Sequence, residues 1–203
     1  MFDARLRPII DPLLDRLGRG LARLGVTANQ ATLLAALCGA AAGIAIAFSH
    51  FNWGLALIVA SRVLDGLDGA IARATRPTDF GGFLDIVGDY VFYIAVPVGF
   101  GLASPDNAVG AISLLAAFTL TGISFMALAT LAAKRGLDIS THGAKSFFYS
   151  GGLTEGAETI AVFVFACLWP QYWTVAALVF SGLCAITVVQ RVAMARRLFG
   201  AAP

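Results

Sequence analysis

Four aspartates carry the strongest chemical signal in the chain. Asp65 and Asp68 stand three apart, Asp85 and Asp89 four apart, within residues 61–90, SRVLDGLDGAIARATRPTDFGGFLDIVGDY. Spacings of three and four put each pair on one face of a helix. The linker between the pairs is short, so two antiparallel helices bring both acidic faces to one depth. Inside a bilayer an ionised side chain costs at least about 2.5–3.5 kcal/mol, and four clustered carboxylates also repel one another. Hard divalent cations, which take several carboxylate oxygens, are the natural compensation. Two such ions bridged by shared carboxylates would suit phosphate chemistry, in which paired metals hold attacking and leaving oxygens. Gly66, Gly69 and Ala72 strip bulk from the face beside Asp65 and Asp68. Gly81 and Gly82 do the same at the start of the second helix, leaving space for a ligand against the backbone. Arg73 can bind a phosphate or pair with a carboxylate. The plainer reading has ion pairs to Arg62, Arg73 and Arg76, with small residues that serve packing alone.

The elements that position these residues are apolar. Hydrophobic residues make up 59% of the 203-residue chain and charged residues 13%; an ordinary soluble domain has about 25% charged residues. Mean hydropathy is +0.82. This composition excludes an exposed soluble surface, a disordered tail and a nucleic-acid binder. A net charge of +2, from 14 Lys/Arg against 12 Asp/Glu, specifies no electrostatic partner. The expected fold is an all-α membrane protein of six transmembrane helices preceded by an amphipathic juxtamembrane helix. Spans of about 20 apolar residues are predicted near 31–49, 53–73, 83–103, 108–133, 155–169 and 173–191. Residues 4–24 alternate arginine with Ile and Leu, a basic amphipathic pattern suited to the membrane surface. Pro8 and Pro12 predict a break or a helix start there. One domain is expected over 1–203: an interfacial segment 1–30, a six-helix bundle 31–191 and a cytoplasmic tail 192–203.

Charge sets the orientation. With both termini in the cytoplasm, all 14 basic residues fall on inner segments or on adjoining span ends, and the outer loops hold no Lys or Arg. The positive-inside rule then puts the termini and the carboxylates on the cytoplasmic side. Trp53, Trp169, Tyr172 and Trp173 are expected in an outer aromatic belt. The first long apolar run starts near Ala31, too late and too long for a signal peptide. Cys38, Cys167 and Cys184 form no metal-ligand spacing and read as buried, reduced thiols. Gly39 and Gly43 form a GxxxG on the first span, which permits close packing within the chain or between chains. No internal repeat of the kind common in transporters is evident.

The run Asp65-Gly66-Leu67-Asp68-Gly69-Ala70-Ile71-Ala72-Arg73, followed by Gly81, Asp85 and Asp89, resembles the signature of the CDP-alcohol phosphatidyltransferase family, D-x-x-D-G-x-x-A-R, a spacer, then G-x-x-x-D-x-x-x-D. All eight fixed residues are present, and the spacer is seven residues where eight is usual. Thr27-Ala28-Asn29-Gln30-Ala31-Thr32 resembles the T-P-N-x-x-T entry to the family's first span, with Ala28 in place of proline. The stretch 145–159 is similar to a YnjF-like bacterial branch, and not to the branches for serine, inositol phosphate or cardiolipin synthesis. The resemblance implies transfer of a phosphatidyl group from a CDP-linked lipid, CDP-diacylglycerol, to a small alcohol acceptor, with release of CMP, in phospholipid biosynthesis at the bacterial inner membrane. It also implies two divalent ions, Mg2+ or Mn2+, on Asp65, Asp68, Asp85 and Asp89, with Asp89 as the base. Asp68, Gly69, Ala72, Arg73 and Gly81 would line the CDP site, joined by Asn29 and Thr32, whose alternative role is to cap the first span. A homodimer is implied as well.

Acceptor recognition falls to other polar groups at the inner ends of the spans. Lys145 and Arg191 suit a phosphorylated acceptor, and a glycerol 3-phosphate acceptor is one alternative. Glu155 and Glu158, three apart, suit acceptor binding or pairing with Lys145 and Arg191. The competing class is a divalent-cation or proton-coupled transporter. Against it, the outer halves of the spans offer no polar path to continue from the aspartates.

Overall fold

Apolar periodicity and end signals divide the described residues into seven α-helices. In the computed structural model, which describes residues 3–136 and 154–200, these are α1 (Asp3–Arg23), α2 (Ala28–Ala47), α3 (Phe51–Ala74), α4 (Asp79–Ala103), α5 (Ala108–Lys134), α6 (Gly156–Leu168) and α7 (Trp173–Phe199). Short 3-10 turns at Pro105–Asn107 and Pro170–Tyr172 lead into α5 and α7. All regular structure among the described residues is helical. Four segments are long and apolar enough to cross a membrane: Ala28–Ala47, Asp79–Ala103, Pro105–Lys134 and Pro170–Phe199. The other two expected spans differ for separate reasons. Helix α3 has 24 residues, but Arg62, Asp65 and Asp68 interrupt its apolar run. Helix α6 has 13 residues; at 1.5 Å each this is about 20 Å, short of a hydrocarbon core about 30 Å thick.

Helix α1 runs unbroken through Pro8 and Pro12, against the expected break. Both prolines are exposed, so the carbonyls that lose a partner can turn to solvent. This helix lies along α3. A Cβ on Gly18 would sit 2.7 Å from the Ala70 Cβ, and one on Gly66 would sit 2.8 Å from Leu14 Cδ1. Gly66 therefore receives α1, which corrects its expected role as ligand space.

The GxxxG of α2 packs inside the chain. A Cβ on Gly39 would lie 3.0 Å from Phe92 Cβ, and Gly43 presses against the Ala95 carbonyl while Gly99 presses against the carbonyl of Gly43. Close contact between α2 and α4 thus uses the stripe that otherwise offered a face for a second copy. A fully buried core of Ile46, Ile58, Phe92, Phe100, Leu114, Phe163 and Trp173 fills the bundle interior, and Phe92 forms its end nearest the aspartates. Trp173 stacks on Phe100 at 4.1 Å and donates from Nε1 to the Asn107 carbonyl at 3.2 Å. It belongs to this core, whereas Trp53, Trp169 and Tyr172 are exposed as a belt requires. The indole reaches a carbonyl at the helix end, so burial leaves its N–H satisfied. Cys167 and Cys184 are buried, while Cys38 is only half-buried, so the expectation of three buried thiols fails there. At the opposite end Arg135 of α5 donates to the Leu198 carbonyl at 3.1 Å, which joins the ends of α5 and α7.

Gly43→Leu should overpack the α2–α4 contact and cost about 1–3 kcal/mol. At Gly182 nothing beyond its own stretch of helix backbone lies within 4 Å of the place a Cβ would take, so alanine there should bring a gain of up to about 1 kcal/mol. Thermal unfolding in detergent reads both: a clear fall in Tm for the first, no fall for the second.

Candidate functional site

Three helix segments meet at the polar end of the bundle: the start of α2, the second half of α3 and the first half of α4. Their caps set the geometry. Thr27 opens α2 with a capping box, in which the Gln30 amide donates to Thr27 Oγ1 at 3.3 Å and the Thr27 amide donates to Gln30 Oε1 at 2.9 Å. Such reciprocal bonds satisfy two otherwise orphan donors. Thr27 thus does the capping, and Asn29 and Thr32, in the first turns of α2, are left for other contacts. Thr78 caps α4 by accepting from the Gly81 amide at 3.0 Å, and Asp79 in the first turn complements the helix dipole.

Thr32 reaches across to α3. Its hydroxyl donates to Asp68 Oδ2 at 2.6 Å, a short charge-assisted bond. Asp68 is buried, with 6% exposure. One carboxylate oxygen from each of Asp65, Asp68 and Asp85 lies within 4.8 Å of the other two. The predicted convergence of the two acidic faces therefore occurs for these three. Asp89, one turn further along α4, instead accepts from Arg62 Nη1 at 2.6 Å, and the same Nη1 stands 3.5 Å from Asp65 Oδ2.

The expected nucleotide residues surround this group. A Cβ on Gly81 would fall 3.1 Å from Thr78 Oγ1 and 3.3 Å from Asn29 Oδ1, so Asn29 and Gly81 share one corner. Gly69 lies beside Arg73, whose Nη1 is 3.3 Å from the Gly69 Cβ position. Ala72 follows Asp65, Asp68 and Gly69 on the same face of α3 by helical spacing. Arg73 is taken up by α1: its Nη2 and Nε reach Asp15 Oδ1 at 2.8 and 3.2 Å. Asp15 escapes notice in the sequence because the arginine–leucine stripe dominates that segment.

Of the expected acceptor residues, Glu155, Glu158 and Arg191 fall among the described residues. Lys145 lies outside them. Glu155 and Glu158 form the capping box of α6, the Glu155 amide donating to Glu158 Oε2 at 3.2 Å. Arg191 of α7 donates to the Thr121 carbonyl at 2.6 Å and to Ser124 Oγ at 3.2 Å, with its guanidinium 5.4 Å from the Phe125 ring centre. It clasps α7 to α5. Next to this clasp the Tyr90 hydroxyl occupies the space a side chain at Gly122 would need, which joins α4 to α5.

An all-helical bundle with a carboxylate cluster at one end of its apolar helices has the architecture of a membrane protein with a candidate metal site. The sequence profile of the CDP-alcohol phosphatidyltransferases matches residues 25–189, and the chain belongs to that family. It is 46% identical over 196 residues to the inner membrane protein YnjF of Escherichia coli K12, covering 95% of this chain and 94% of the relative. The archaetidylinositol phosphate synthase of Pyrococcus horikoshii is 34% identical over 100 residues, 49% of this chain and 53% of that protein. The crystal structure of the phosphatidylinositol phosphate synthase PgsA1 of Mycobacterium tuberculosis, with CDP-DAG bound, matches with a TM-score of 0.70 at 20% identity, covering 91% of this chain and 94% of that one. That likeness establishes the shared fold. The family and YnjF-like expectations hold, and family membership replaces the transporter reading. The expected separation from inositol phosphate enzymes does not extend to the part of the chain shared with the archaeal relative.

Thr32→Val keeps the shape of the side chain but strips Asp68 of its hydroxyl donor. Leaving a buried acceptor unsatisfied costs about 1–3 kcal/mol. A matching loss of stability in detergent is the expected result, and an unchanged unfolding midpoint would show that Asp68 finds another donor.

Proposed function

We propose that this membrane enzyme transfers the phosphatidyl group of CDP-diacylglycerol to a small alcohol and releases CMP at the cytoplasmic face of the inner membrane. The convergence of Asp65, Asp68 and Asp85 carries this reading. Three hard oxygen donors within 4.8 Å of one another, one of them oriented by Thr32, fit Mg2+ or Mn2+ in ligand type and charge. Such an ion, when bound, neutralises diphosphate charge and that of the departing CMP. The resemblance implies a second ion as well, but Asp89, the fourth carboxylate, is bonded to Arg62 instead.

The protein groups divide the remaining work. Asn29, Thr32, Asp68, Gly69, Ala72, Arg73 and Gly81 form the CDP site, where small residues let the nucleotide approach the backbone of α3 and α4. Asp89 takes the proton of the acceptor hydroxyl as its oxygen attacks phosphorus and the bond to CMP breaks. Helices α3 and α6 join the four long apolar helices to make six crossings, with both termini in the cytoplasm. A homodimer would use a face other than Gly39 and Gly43, which α4 covers. Lys145, Glu155, Glu158 and Arg191 remain the residues to examine for acceptor choice. Inositol phosphate and glycerol 3-phosphate head the acceptors to test, the first because an archaeal relative is named for it.

The decisive assay is CMP release by the purified protein with CDP-diacylglycerol and Mn2+, across inositol phosphate, glycerol 3-phosphate, serine, inositol, glycerol and phosphatidylglycerol. Release should depend on one acceptor. Asp89→Asn should lower kcat by about 100-fold or more, the scale of general-base catalysis. Undiminished turnover in that variant would remove Asp89 as the base. Failure of the protein to bind CDP-diacylglycerol would remove the donor assignment.

A further inference from the structure

Arg62 is the one cation among the described residues bonded to the aspartate group, and its surroundings are built to hold it. Its side chain is 10% exposed. The guanidinium lies over the Phe92 ring, 4.0 Å from the ring centre. Nη2 donates to Ser61 Oγ at 3.1 Å, and Ser61 in turn donates to the Ala35 carbonyl at 2.8 Å. Helices α2, α3 and α4 therefore fix the plane of the guanidinium from behind. Its remaining face meets Asp89 at 2.6 Å and Asp65 at 3.5 Å. Nε is buried without a hydrogen-bond partner. An arginine held this firmly at such cost has a task in the site.

We propose that Arg62 is a positioning residue that acts as the resident cation of the site. It holds Asp89 apart from the Asp65–Asp68–Asp85 group, so that Asp89 serves proton transfer and not metal binding. This rests on the reading of Asp89 as the base. One Asp89 oxygen is tied to Nη1. The other accepts the acceptor's hydroxyl proton as the new oxygen–phosphorus bond forms and the electron pair of the broken bond leaves with CMP. Without Arg62, Asp89 would join the other three carboxylates around a cation and lose that freedom.

The test is equilibrium Mn2+ binding to the purified full chain, read by the EPR signal of free Mn2+, with no acceptor needed. Arg62→Met should bind Mn2+ about tenfold more tightly, because a nearby positive charge is gone and a fourth carboxylate is released. Arg62→Lys, which keeps the charge, should stay within about threefold of the parent protein. In Asp89→Asn the guanidinium turns wholly to Asp65, so Mn2+ affinity should fall. The double variant Arg62→Met/Asp89→Asn removes both buried charges, which folded proteins tolerate better than the loss of one. It should recover the affinity lost in Asp89→Asn. Weaker or unchanged Mn2+ binding in Arg62→Met overturns the proposal, and so does a double variant no tighter than Asp89→Asn. Asp65→Asn separates the two levels: if it leaves Mn2+ binding intact, the metal assignment fails before the role of Arg62 is reached.

Discussion

Like charges crowded where water is scarce are the constraint around which the polar end of this bundle is arranged. Asp65, Asp68 and Asp85 point oxygens into one small space, and Asp89 stands a turn away. Carboxylates held this close repel one another. Two compensations are built into the protein. Thr32 donates to Asp68 from α2, and Arg62 faces Asp89 and Asp65 from α3. The three converging oxygens are also suited to a divalent cation.

Those compensations depend on helix packing elsewhere. Phe92 illustrates the coupling. Its Cβ meets Gly39 of α2, its ring lies under the Arg62 guanidinium, and the same ring packs on Phe163 of α6 at 5.5 Å. The small residues that let α2 approach α4 therefore also set the height of the arginine over the aspartates. Ser61 extends the link, since it joins Arg62 to the backbone of α2. The aromatic core fills the bundle with close-packed rings, and the polar end can then hold opposed charges on a rigid frame.

Helix α1 adds a further connection. It rests on Gly66 and Ala70 through Leu14 and Gly18, and Asp15 bonds Arg73. Residues of the acidic motif thus serve two purposes on two faces of α3. Asp65, Asp68, Gly69 and Ala72 turn toward the site, while Gly66 and Ala70 receive α1. A surface ion pair contributes little to stability, so the effect of Asp15 is to aim Arg73 more than to hold the fold.

Much of this is legible in the residues alone. The spacing of the aspartates implies two acidic helix faces at one depth, because helical periodicity is a local property that needs no knowledge of neighbours. Composition implies a membrane bundle for the same reason, and the eight residues of the family motif identify the chemistry. Other features depend on which surfaces meet. Pairing Asp89 with Arg62, seating Trp173 in the core and turning the Gly39–Gly43 stripe inward are outcomes of four helices packing at particular rotations, and a one-dimensional pattern does not encode rotation. Glu155 and Glu158 read as costly acids in an apolar run, yet together they close the first turn of α6, since the cap's location depends on where the helix begins. Residue order therefore specifies the class of chemistry and the helices that bear it. Which carboxylates share a space, and which one faces a cation, is settled by packing, because those distances arise between segments that the chain alone leaves free to rotate and slide.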